Sequence, residues 1–296
     1  MTGDQTRRGF WDRVQSCDPR ILYVVFAVMM IVLQFKTVSI PAPVPRAAKG
    51  LYDLIEKLPT DKIVIIDSSA DVGWLAEARP TMEAIVRHLL QRRIPFAICA
   101  NTTYNQGQGI GTEITDRIVK EMAASGEKRE YGVDYCYWQA INLVAGGGVM
   151  VQALAKDIPG TVIKDLRGTA IQSLPMMKNV RDIHDVSLIY RVCYDWEGIP
   201  WIGFVQAVYG TPFAVGVASI SSSSAYPFLD SGQMCGVLAG AAGAAGYERL
   251  LNYKGSGTRI VARQSFATLY VVLAVVLGNL AMLAVRIEKR RKVRTQ

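Results

Sequence analysis

The stretch KIVIIDSS, residues 62–69, sets four consecutive aliphatic side chains directly before an aspartate and two serines. An unbroken apolar run of this length lacks the alternation of a half-exposed strand. It marks a strand buried on both faces, as in parallel sheets covered by helices. Its polar end then marks the edge of the sheet where loops meet solvent.

Working outward, GLYDLIEKLP (50–59) precedes it as a short amphipathic helix, and four further units follow. ARPTMEAIVRHLLQRR (78–93) leads to PFAICAN (95–101), and TEITDRIVKEMAASGE (112–127) leads to VDYCYWQAI (133–141). GGVMVQALAKDI (147–158) precedes VSLIYRVC (186–193), and IPWIGFVQAVYG (199–210) precedes PFAVGVASIS (212–221). A last helix is expected over 231–251. Strands alternating with helices through right-handed crossovers imply an α/β, three-layer sandwich, Rossmann-like or flavodoxin-like, with a mostly parallel five-stranded sheet. The rhythm breaks at IKDLRGTAIQSLPMMKNVRDIHD (163–185), which reads as a lid, a subunit contact or a packed irregular segment.

Two greasy stretches bracket this domain. FATLYVVLAVVLGNLAMLAV (266–285) is uncharged and about 20 residues long, the length that crosses a ~30 Å hydrocarbon layer. ILYVVFAVMMIVLQF (21–35) reaches that length only when extended to residue 40, with Lys36 snorkelling to the head groups; a cleaved secretory signal is its alternative reading. The expected organisation is therefore a basic tail (1–20), a first span (21–40), a linker (41–50), the α/β domain (51–255), a second span (266–285) and a basic tail (286–296). The formal charge is +8, of which the first tail carries +1 and the last +5, leaving the domain close to neutral. Basic residues beside both spans place both termini in the cytoplasm and the domain outside, in a two-span protein of the cell membrane. That balance makes the lipid bilayer a partner and nucleic acid not one. The five cysteines show no metal-ligand spacing, and the four within the domain read as buried free thiols; no metal and no cofactor is expected.

In an open parallel sheet, ligands sit beyond the carboxyl ends of the strands. That rule nominates Asp67, Ser68, Ser69 and Asp71 after the first strand, Asn101 and Thr102 after the second, Asp195 after the fourth, and Ser221 and Ser222 after the fifth. Gly107, Gly109 and Gly111 are expected to precede a helix starting near Thr112, but their GxGxG spacing after the second strand is not the dinucleotide fingerprint. Asp230 and Gln233 resemble a capping box opening the last helix. Within that helix Gly232, Gly236 and Gly240 stand four apart, so they serve either tight packing inside the domain or a subunit interface.

The segments YPFLDSGQMCGVLAGAAGAAGYERLL (226–251), SLPMMKNV (173–180) and YGVDYCYW (131–138) together resemble an uncharacterised family of prokaryotic membrane-anchored Rossmann-like proteins. The resemblance implies a shared fold and membrane anchoring, and it transfers no activity. The reading favoured at this level is a membrane-anchored module acting in assembly or binding, as a homo-oligomer or with a partner membrane protein, and holding a small molecule at the strand ends. A membrane-tethered hydrolase or transferase using Asp67 or Asp71 is one alternative, and an accessory subunit of a transport or secretion system is another.

Overall fold

The structure, a computed structural model, describes residues 9–36, 38, 40–100, 105–142, 148–194 and 199–294. The chain forms two compact units, one of residues 40–260 and one of residues 1–39 with 261–296.

The larger unit is built on six parallel strands: β1 (Ile63–Ser68), β2 (Phe96–Cys99), β3 (Tyr135–Tyr137), β4 (Val186–Cys193), β5 (Phe213–Val217) and β6 (Gly236–Ala239). Their spatial order, β3-β2-β1-β4-β5-β6, is the doubly wound Rossmann order, with the chain reversing direction across the sheet between β1 and β4. Every residue of β1, β2, β4 and β5 is buried, which is why their sequences are apolar without alternation.

One face of the sheet packs against α3 (Arg46–Ile55), α4 (Leu75–Arg92), α5 (Asn105–Ala124) and α11 (Gly240–Leu250). Val64 and Ile66 share that buried core with Met82, Ile85 and Ile114. The other face packs against α6 (Val149–Lys156), α7 (Ile158–Thr161), α8 (Ile199–Trp201) and α9 (Ala207–Tyr209) joined by a π-helical turn (Ile202–Gln206), and α10 (Ser222–Asp230). The irregular segment 163–185 belongs to this second layer. Ile171, Leu174, Met177, Val180 and Ile183 are all buried in it, so of the three readings of that segment the packed one is observed. Two of the segments that carry the family resemblance pack on each other: Met176 N–H donates to the Gly132 carbonyl at 2.9 Å, and Leu174 lies against Gly132, whose φ is +81°. Tyr131 donates to the buried Asp165 at 2.8 Å, and the Arg167 guanidinium sits 3.4 Å above its ring.

Four expectations are corrected here. The sheet has six strands, because GVLA at 236–239 is β6 and not the middle of a helix. A four-residue buried strand rich in small residues carries no periodicity that separates it from a helix. The expected helix over 231–251 is therefore only its second half, α11. Asp230 ends α10 instead of opening a helix, and Gln233 accepts from Ser231 Oγ at 3.0 Å, so no capping box forms between Asp230 and Gln233. Helix α5 begins at Asn105, so Gly107, Gly109 and Gly111 lie inside its first two turns. A side chain on Gly107 would overlap the Ser68 carbonyl, which explains a glycine in that turn.

The glycines of the 232–246 segment serve the domain itself. A Cβ on Gly236 would stand 2.5 Å from Leu51 Cβ on α3, and one on Gly243 would stand 3.0 Å from the Leu238 backbone. Gly240 has φ +51° and is pressed against Ser219 and Glu77, while Gly232, at φ +79°, forms an open turn. Gly236→Leu is accordingly expected to overpack the α3–β6 contact. Overpacking of this kind costs typically about 1–3 kcal/mol, and the expected result is a lower melting temperature at unchanged subunit number by analytical ultracentrifugation. A smaller assembly with an intact fold would restore the interface role.

The smaller unit contains α1 (Phe10–Gln15), α2 (Pro19–Phe35) and the greater part of α12 (Ser256–Arg294). Residues 256–288 of α12 are apolar enough and, at 33 residues, long enough to cross a bilayer, with few of them buried. Helix α2 is apolar but stops at Phe35 after 17 residues, at about 1.5 Å each shorter than a ~30 Å hydrocarbon core, and Lys36 is extended. The full span expected over 21–40 is thus not formed as one helix. Tyr270 donates to the Leu22 carbonyl at 2.7 Å and packs on Phe26, and Arg263 reaches the Leu33 carbonyl at 3.4 Å. These pairings run α2 and α12 antiparallel.

Candidate functional site

At the carboxyl edge of the sheet the two faces carry different chemistry, because successive residues of β1 point to opposite sides. Asp67 shares the face of Ile63 and Ile65, and Ser68 shares that of Val64 and Ile66.

On the first face, Asp67 and Arg191 are direct partners in the β1–β4 register. Arg191 Nη1 lies 2.5 Å from Asp67 Oδ2, the Trp201 indole donates to the same oxygen at 2.9 Å, and Ser69 Oγ donates to Oδ1 at 2.9 Å. Asp67 and Arg191 are both buried. Cys99, opposite Asp67 in the β1–β2 register, has its thiol held well above the usual range by burial, with the Asp67 charge acting the same way. Asp67 is therefore one half of a buried ion pair at the point where the strand order reverses, its carboxylate bonded to Arg191, Trp201 and Ser69.

On the second face, the hydroxyl of the buried Ser68 donates to the Gly107 carbonyl at 2.7 Å and lies 3.7 Å from Met82 Sδ. Asp71 caps the 3₁₀ turn Val72–Trp74 by accepting from Gly73 N–H at 2.6 Å. Gln106 Oε1 accepts from Val72 N–H at 3.2 Å, tying the first loop to the start of α5. Trp74 and Gln108 are both buried on this side, and among the described residues neither the indole N–H nor either amide atom of Gln108 has a hydrogen-bond partner. Glu77, in the first turn of α4, accepts from Ser219 N–H across the crevice, and Ser222 Oγ donates to the Ser219 carbonyl at 2.8 Å. Ser221 and Ser222 are half-buried at the start of α10.

Asp67, Ser68, Ser69, Asp71, Ser221 and Ser222 thus stand at the strand ends as expected, while Asn101, Thr102 and Asp195 lie outside the described residues. Sequence reasoning missed Trp74, Glu77, Gln108, Arg191 and Trp201. Gln108 had a signal: it begins the stripe 108, 111, 115, 118, 122, which is otherwise the buried face of α5. Arg191 had one as well, a cation inside an apolar strand.

Among the described residues no group of three His, Cys, Asp or Glu side chains is placed to hold a metal ion. No disulfide forms among the described residues; Cys99, Cys136 and Cys193 are buried, and burial pushes the partly buried Cys235 thiol up to about 12.

A second polar cluster lies away from the crevice. His88 is buried in α4, with Nδ1 2.6 Å from the Tyr247 hydroxyl and Nε2 2.8 Å from Glu56 Oε1, and Tyr52 stacks on its ring at 4.7 Å. Burial lowers the His88 pKa, outweighing the opposing hydrogen bond and charge of Glu56. The hydrogen bond from His88 holds the Glu56 carboxyl below its ordinary value. With the folded His88 pKa depressed, the unfolded chain takes up the proton first as pH falls. Stability is then lost between about 6.5, the unfolded histidine value, and the lower folded value. Glu56 adds a further loss as pH falls through the folded carboxylate range. Melting temperatures of wild type and His88→Gln between pH 7.5 and 5.5 check this: the wild type falls on acidification and the variant is flatter. Parallel slopes would remove His88 from the account.

Comparison with protein-family models, with curated proteins and with solved structures finds no match to this chain.

Proposed function

We propose that this chain is a two-pass membrane-anchored module whose α/β domain binds a small ligand in the crevice at the carboxyl ends of its strands. The observation that carries the reading is the pair of buried, unsatisfied side chains there, Trp74 and Gln108, beside the switch in strand order between β1 and β4. Native interiors satisfy nearly all buried polar groups, so unsatisfied ones at a crevice point to something that completes them. The pairing of the buried Asp67 with Arg191, Trp201 and Ser69 supports a binding role over a hydrolase or transferase working through Asp67. The internal use of Gly236 and Gly243 takes away the support that the glycine-rich segment lent to self-assembly.

Anchoring is supported by the length of α12 and by the antiparallel contacts of α2 with it, which suit a membrane hairpin. Both termini then lie in the cytoplasm beside anionic lipid and the domain outside, a reading supported by the basic residues next to both spans. An impermeant maleimide applied to intact cells tests this arrangement. Lys128→Cys, at an exposed position of the domain, is expected to label, while the exposed native Cys17 does not. Labelling of Cys17 with protection of residue 128 would reverse the topology. Labelling of neither would place the domain inside.

A further inference from the structure

We infer that the crevice recognises its ligand through the carboxamide of Gln108, and that the ligand presents a planar edge with a hydrogen-bond donor and acceptor side by side. A nucleobase or a nicotinamide-type amide carries such an edge. The inference rests on the binding role proposed above.

Gln108 is 8% exposed, and among the described residues neither Oε1 nor Nε2 has a partner. An unmade hydrogen bond at a buried group is unfavourable by about 1–3 kcal/mol, and an aliphatic residue of similar size would avoid that loss on a buried stripe that continues through Gly111, Thr115, Ile118 and Met122. The direction of the side chain follows from topology. Helix α5 comes after β2, so its first turn stands at the carboxyl end of the sheet. Side chains on a helix lean toward its N-terminus, and Gln108 lies on the buried stripe, so the amide is directed to the strand ends. The start of the helix is fixed, with Gly107 pressed on the Ser68 carbonyl and Gln106 holding Val72 N–H. Trp74, 7% exposed and in the same packed layer, adds an indole N–H that is equally without a partner, on the loop that Gln106 holds.

The chemistry of these groups sets the class. A primary amide offers one acceptor and one donor in a plane, and it pairs in bidentate fashion with an edge offering the reverse, as glutamine does with adenine. The indole N–H supplies a further donor to a ligand carbonyl or ring nitrogen. Both side chains are uncharged, so the group they recognise is neutral, which separates this site from a phosphate cradle.

The test uses full-length protein in detergent, titrated separately with adenosine, uridine and nicotinamide and followed by saturation-transfer NMR. Wild type is expected to bind at least one of the three. Gln108→Leu removes the polar pair at similar volume and is expected to weaken that binding about tenfold or more, with a melting temperature equal to or above wild type. Gln108→Glu keeps the shape, exchanges the donor for an acceptor, and is expected to weaken it likewise. Binding of none of the probes overturns the inference, and so does binding that neither variant alters. A buried water satisfying Gln108 would give the first of these results. Should Gln108→Leu fail to fold, Gln108→Glu decides alone. A protein that retains a ligand without such an edge overturns this inference and leaves the binding role standing.

Discussion

Arg191→Met is expected to destabilise the domain by about 3–5 kcal/mol, the usual consequence of removing one partner from a buried ion pair. The reason is the position of Asp67. It is buried at the end of β1, and its register partner on β4 supplies the neutralising charge. Without Arg191 the carboxylate keeps the Trp201 and Ser69 hydrogen bonds but holds an uncompensated charge. For a domain of this size about 1 kcal/mol shifts the melting temperature by about 2–4 °C, so a fall of roughly 10 °C is expected. Adding Asp67→Asn to Arg191→Met removes the stranded charge and should recover part of the loss. A single variant that melts with wild type would show that Asp67 is not held as described, and would return it to consideration as a working carboxylate.

Glu248→Ala is expected to be the next most damaging change. The buried Glu248 carboxylate, on α11, accepts from Gly257 N–H at 2.8 Å, Gly255 N–H at 3.1 Å, Thr258 N–H at 2.8 Å and Thr258 Oγ1 at 2.7 Å. Those donors are the entry and first turn of α12, where backbone N–H groups have no partner within the helix. Ser256 Oγ donates to the buried Glu83, whose other oxygen pairs with Arg117, so two carboxylates of the domain meet the helix start. Three orphaned N–H groups at about 1–3 kcal/mol each predict a loss of at least about 3 kcal/mol. Burial raises the Glu248 pKa against the opposing hydrogen bonds, so Glu248→Gln, which keeps an acceptor, should lose less than Glu248→Ala. Urea unfolding of the detergent-solubilised protein checks the ranking. Equal midpoints for wild type and Glu248→Ala would contradict it.

What the sequence made legible follows the length and uniformity of each signal. Residues 63–66 could be read as a buried strand because four aliphatic residues run together, and β4 and β5 followed for the same reason. β6 escaped because Gly236 to Ala239 joins a small-residue helix without a break in composition, and its turns are set by the positive φ of Gly232 and Gly240. The placement of Asp67 at the strand end was readable, but its partnership was not. Arg191 lies 124 residues away, and only the pairing of β1 with β4 brings the two together. The first span was overextended because reaching full length required adding KTVSI beyond Phe35 with Lys36 snorkelling, whereas the helix itself stops at Phe35. Gln108 was the opposite case: with the helix expected to start only near Thr112 it lay ahead of any expected stripe, and only its place in α5, buried without a partner among the described residues, gives it meaning.

The most direct measurement is native mass spectrometry of the full-length protein, gently extracted from its membrane, beside Gln108→Leu prepared in the same way. The account predicts a mass excess of one small molecule on the wild type that is reduced or lost in the variant, with subunit number unchanged. A wild-type protein that carries nothing, and that instead forms a larger assembly broken by Gly236→Leu without loss of fold, would contradict it.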